Sequence, residues 1–173
     1  DEVMRTDPRK ICGVKIFMGS STGNMLVDNR VTLERLFANS PTLIATHCED
    51  EATIHRNLAH FKSIYGEAFT AALHPLVRNE EACLLSSSMA VDLAKKYGTR
   101  LHILHISTLD ELALFDNQTP LKNKKITAEV CVHHLWFSAE DYARYGNQIK
   151  CNPAVKGMAH REALLDRKST RLN

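Results

Sequence analysis

Four short runs rich in β-branched residues, Ile11 to Met18, Thr42 to His47, Leu101 to Ile106 and Lys125 to Val132, alternate with longer segments of helical period. Few folds accommodate that alternation, because parallel strands need crossover connections and helices supply them. The expected class is α/β, and each run, apolar on both faces, is expected to lie between two layers. Helices are predicted at about 31–38, 50–65, 79–97 and 109–115, with caps offered by Thr32, Asn79 and Thr108 and a stop at Gly98. Ser138-Ala139-Glu140-Asp141 reads as a capping box that opens a further helix. The second and third strands are joined by two helices rather than one. No internal repeat or linker divides the chain.

Composition excludes several classes of function. Of 173 residues, 44% are hydrophobic and 24% charged, which suits a globular domain. Twenty-two basic residues against 20 acidic ones give a net charge of +2. No like-charge run offers a surface for nucleic acid or an acidic membrane, so a small-molecule partner is expected. No stretch has the length and apolarity of a membrane helix, and Asp1 to Met4 do not begin a signal peptide. The five cysteines form no CxxC pair and are expected to be reduced packing residues of a cytoplasmic protein.

Chemistry concentrates near the strand ends. Lys15 is flanked by apolar residues on both sides, where a buried ammonium needs pairing or chemical alteration; snorkelling from an edge is the bland alternative. His47 and His105 each end a strand-like run, where α/β barrels place catalytic groups. Period-2 counting puts His47 with Leu43 and Ala45 and His105 with Leu101 and Ile103. Both are then expected to point into one mouth as metal ligands, and His102 away from it. A hydrogen-bonded core role is the ordinary alternative for either histidine. His133 and His134 line the same rim with Trp136 or form a packing pair at a helix entry, while His55, His60 and His160 are expected to be solvated. Gly19 to Asn24 is expected to form an active-site loop that lets backbone approach a ligand, and Lys150 to Lys156 a second loop in which Asn152, held before Pro153, presents its amide in a fixed direction.

Five phrases carry a resemblance: Gly-Val-Lys-Ile-Phe-Met-Gly-Ser-Ser-Thr-Gly-Asn at 13–24, Thr-His-Cys-Glu-Asp at 46–50, Leu-His-Ile-Leu-His-Ile-Ser-Thr at 101–108, Glu-Val-Cys-Val-His-His-Leu at 129–135 and Lys-Cys-Asn-Pro-Ala-Val-Lys at 150–156. In this order and spacing the chain resembles the dihydroorotases of the amidohydrolase superfamily from about Ile11 to Asp166. The resemblance implies a partial (β/α)8 TIM-type barrel over residues 1–166, with residues 167–173 an unrelated tail. It further implies two divalent metals, usually zinc, bridged by a carboxylated lysine matched here by Lys15. His47 and His105 match the ligands of the second metal, and Asn152 matches a residue that contacts the substrate ring. The implied reaction is the zinc-dependent, reversible hydrolysis of dihydroorotate to N-carbamoylaspartate in pyrimidine biosynthesis. Self-association into a homo-oligomer stays open.

The pattern is incomplete. The family's His-x-His pair occurs nowhere in the chain, and the Asp-His dipeptide holding the proton-shuttling aspartate does not follow Arg161-Glu162-Ala163-Leu164. The expectation is therefore an internal fragment that is inactive by itself. Allantoinases and hydantoinases share the lysine and histidine positions, and a non-catalytic scaffold is a further alternative.

Overall fold

The computed structural model describes residues 2–19 and 24–170, without the side chains of 168–170. In chain order its elements are β1 (Val14–Phe17), α1 (Arg30–Asn39), β2 (Ile44–His47), α2 (Glu51–Tyr65), α3 (His74–Val77), α4 (Glu80–Tyr97), β3 (Leu101–Ile103), β4 (Ile126–Ala128), α5 (Val132–Trp136), α6 (Tyr142–Tyr145) and α7 (Met158–Thr170). Short 3-10 turns lie between several of them. The strands form one parallel sheet in the order β1-β2-β3-β4, a partial (β/α)8 barrel in which each strand neighbours the next in sequence.

Local chemistry sets most element ends. Asn29, Asp50 and Asn79 each accept the backbone N–H three residues on, at 3.0, 2.8 and 3.1 Å, and so cap α1, α2 and α4. Thr32 therefore receives the cap of α1 through its N–H rather than supplying it. Gly98 closes α4 in the left-handed region at φ 68°. Ser138 and Asp141 form the expected capping box, although it opens a 3-10 turn that runs into α6. The segment predicted as a helix over 109–115 is a 3-10 turn, Asp110–Leu114. Its Glu111 carboxylate is buried and accepts from Ser87 Oγ, Thr108 Oγ1 and the Ser107 and Thr108 N–H groups. These four donors hold the turn in place of an α-helical ladder.

In-register residues across the strands share a face. Ile16, Thr46 and Ile103 stand in one row, and Val14, Ile44, Leu101 and Ile126 in another of the same parity. This face packs on Leu33 and Phe37 of α1 and on Ala90, Val91, Leu93 and Ala94 of α4 to make the core. Lys15, Ala45, His102 and Thr127 form the row on the opposite face. The expectation that both faces are apolar and covered is corrected here. Among the described residues only the outer face carries a helical layer, and the inner one is polar and open.

Candidate functional site

The inner face gathers the titratable groups. Lys15 is exposed rather than buried, with its Nζ 4.4 Å from the centroid of the Phe17 ring. The expectation of a buried ammonium fails because the apolar neighbours of Lys15 in sequence, Val14 and Ile16, belong to the other face. Phe17 in turn stacks on His47, with centroids 6.5 Å apart and planes at 28°. Lys15, Phe17, Ala45 and His47 thus line one surface across β1 and β2.

His47 and His105 meet, by a route that period counting does not describe. His47 lies on the inner face with Ala45, whereas Leu101 and Ile103 lie on the outer one, so a continued strand would point His105 away. The strand instead stops at Ile103, and His105 takes a left-handed φ of 42°, a strained conformation for a residue with a Cβ. Leu104 N–H donates to Thr46 O at 3.0 Å and Ile106 N–H to Glu129 O at 2.8 Å, which clamps the bend on both sides. His47 Nδ1 and His105 Nε2 come to 3.0 Å. His102, expected to point away, is on the inner face, 2.9 Å from Thr127 Oγ1 and 3.3 Å from Glu129.

Glu49 completes the pair, a role that residue-by-residue reading of the chain misses. His47 Nε2 lies 2.8 Å from Glu49 Oε2, and Arg78 Nη1 donates to the same oxygen at 2.7 Å. Glu49 is fully buried. A carboxylate accepts but does not donate, so Nε2 of His47 carries its hydrogen and Nδ1 turns a lone pair toward His105. The signal was present in His47-x-Glu49, two residues apart at a strand end. Burial, and then repulsion by His47, lowers the His105 pKa to about 4, so this ring is neutral at pH 7. Two imidazole nitrogens on one zinc ion stand about 3.3 Å apart. The His47–His105 separation and the carboxylate behind His47 fit such an ion.

The remaining expected positions fall elsewhere. Asn152 is exposed, and its Oδ1 lies 3.1 Å from His74 Nε2 rather than against the histidine pair. His74, whose pKa is lowered by burial, also lies 2.8 Å from the Cys151 carbonyl. Among the described residues the buried lysine is Lys156, which donates to Ala154 O at 3.0 Å and lies 3.8 Å from Cys83 Sγ. His134 is buried while Trp136 is exposed, so these two do not form a common rim. His55 and His60 are solvated, but His160 accepts from Leu109 N–H at 3.0 Å and meets Glu80 at 3.3 Å. All five cysteines are free, and Cys48 and Cys83 are buried with thiols pushed up to about 12 by burial. Cys12, expected to pack, is exposed. Ser20 to Gly23 of the small-residue loop lie outside the described residues. The adjoining Gly19 allows close approach, since a Cβ there would stand 2.1 Å from Glu49 O. No helix of the described residues is long and apolar enough to cross a membrane.

Comparison with known proteins extends these observations. The chain is 32% identical to the dihydroorotase of Methanosarcina acetivorans and 29% identical to that of Methanosphaera stadtmanae, over 88% and 90% of its own length. It is dihydroorotase-like. The dihydroorotase-like chain is also 30% identical to the allantoinase of Bacillus velezensis over 88% of its length. It spans about a third of each of these relatives, 33%, 35% and 34% respectively. Among solved structures it superposes on a D-hydantoinase with a TM-score of 0.80 at 19% identity, covering 96% of this chain and 36% of that one. It superposes equally well, at 0.80 and 22% identity, on the L-hydantoinase (dihydropyrimidinase) of Arthrobacter aurescens, covering 90% of this chain and 35% of that one. These superpositions establish the shared fold. No family model matches the chain.

Proposed function

We propose that this chain is part of a zinc-dependent cyclic amidohydrolase that opens dihydroorotate to N-carbamoylaspartate, a step of pyrimidine synthesis. The observation that carries the reading is the convergence of His47 Nδ1 and His105 Nε2 at 3.0 Å, with Glu49 fixing the His47 tautomer. His47 and His105 would hold one divalent cation, and Lys15, once carboxylated, would add an anionic oxygen from the same face. Such a cation supplies Lewis-acid activation of the ring carbonyl and of the attacking water. Glu49 and Arg78 keep His47 oriented through the reaction, while burial keeps His105 neutral and able to ligate. Water adds to the amide carbonyl, the ring C–N bond breaks, and the nitrogen leaves with a proton. Asn152 is the candidate contact to the substrate ring. The identity to an allantoinase supports a second reading, in which the cyclic amide is allantoin.

The test is metal content and turnover of dihydroorotate, allantoin and hydantoin by this chain and by a version extended to the length of its relatives. The extended protein is expected to hold about two metal ions and to prefer dihydroorotate, and Glu49→Gln should weaken metal binding about 10- to 100-fold. Preference for allantoin would replace the substrate. An extended protein that binds no metal and turns over none of the three would instead be a non-catalytic scaffold.

A further inference from the structure

Cys131, His133 and His134 lie just beyond β4, where the chain turns into α5. None of them belongs to the His47–His105 pair. One donor atom from each falls within 4.8 Å of the other two. Thiolate and imidazole ligands on one tetrahedral zinc stand about 3.3–3.8 Å apart, so closing round a cation asks for a contraction of about an ångström.

The His134 ring is held through one nitrogen, which leaves the other free to ligate. Its Nε2 lies 3.0 Å from the Pro153 carbonyl, and a carbonyl only accepts, so Nε2 carries the hydrogen and Nδ1 keeps a lone pair. That Nδ1 is buried and has no hydrogen-bond partner among the described residues, in a side chain only 3% exposed. A buried acceptor without a partner is costly, and an imidazole held through its far nitrogen by a backbone carbonyl is the usual support of a metal-ligating histidine. The His133 ring lies 4.3 Å from that of His134, centroid to centroid. A cysteine binds a metal as the thiolate, so metal uptake at Cys131 releases a proton. One thiolate with two imidazoles suits zinc and its neighbours rather than magnesium or calcium.

We propose that Cys131, His133 and His134 form a site for one thiophilic divalent cation of the zinc class, built from donors separate from the His47–His105 pair. The probe is Co2+, added to the 173-residue chain after chelation and removal of the chelator. A thiolate-to-cobalt charge-transfer band in the near ultraviolet arises only where a cysteine binds, so histidine and carboxylate sites do not contribute to it. The expected result is a band that saturates with one equivalent at this site, with a proton released, and that Zn2+ displaces. Cys131→Ser and His133→Gln, at partly exposed positions with far-UV circular dichroism unchanged, should each abolish it. His47→Ala should leave it intact, which separates this site from the proposed catalytic one. Absence of the band from the unsubstituted chain, its survival in Cys131→Ser, or its loss in Cys151→Ser with retention in Cys131→Ser would each overturn the proposal.

Discussion

The imidazole of His47 is held from two sides, by Glu49 at 2.8 Å and by His105 at 3.0 Å, and Glu49 is balanced by Arg78 at 2.7 Å. With Glu49 fully buried, its loss leaves a guanidinium facing a desolvated gap. Glu49→Ala should therefore lower the unfolding free energy by about 3–5 kcal/mol in urea denaturation, and a loss below about 1 kcal/mol would show that water reaches the pair. Gly19→Ala tests the same locality through the backbone. Its new methyl would overlap the Glu49 carbonyl, an atom that cannot swing aside, so a loss of about 1–3 kcal/mol is expected in the same assay.

At the scale of elements, helix entry rests on short-range hydrogen bonds and helix docking on the sheet. Asn79 caps α4 through a 3.1 Å bond to Ala82 N–H, and Asn79→Ala should destabilise by about 1 kcal/mol. Leu33, fully buried between α1 and the sheet, should cost about 2–5 kcal/mol when changed to Ala, because a cavity is added to the lost transfer energy. Thermal or urea unfolding of both variants checks the ordering. The cap at Asn79 is legible in the sequence because a cap is a contact over three residues, whereas the sequence reading does not single out Asn29 and Asp50, which cap α1 and α2. The 3-10 turn at Asp110–Leu114 has the length and apolar spacing of a helix. What decides its form is Glu111, whose carboxylate reaches back to Ser107, Thr108 and across to Ser87 of α4.

For the whole molecule, three histidines, His74 and His134 buried and His105 partly buried, shape the response to acid. His105 and His134 are lowered to about 4 and His74 is lowered as well, in each case first by burial. In the unfolded chain these groups titrate near 6.5, so between about pH 4 and 6.5 the unfolded state binds more protons. Their contribution to stability is complete above about pH 6.5 and is lost as the pH falls toward 4. With chelator present, Tm should drop by several degrees from pH 7 to pH 5, and a flat profile would place these rings in solvent. The sheet has a second consequence at this scale. An apolar groove lined by Ile106, Leu112, Phe115, Ile126, Val130 and Leu164 borders β4, whose outer edge pairs with no other strand among the described residues. Exposed edges and apolar grooves favour association.

The four strands, the main helices, the parallel class, the strand-end position of His47 and the family resemblance are legible in the sequence, because periodicity, caps and motif order are properties of neighbouring residues; His105 lies beyond the end of β3. The tertiary structure alone decided which face is the interior, and with it the exposure of Lys15 and the inward side of His102. Register across β1 to β4 couples strands tens of residues apart, and no local pattern encodes it. The left-handed turn at His105 is likewise held by bonds from β2 and from Glu129, which is why a residue of the wrong parity still meets His47.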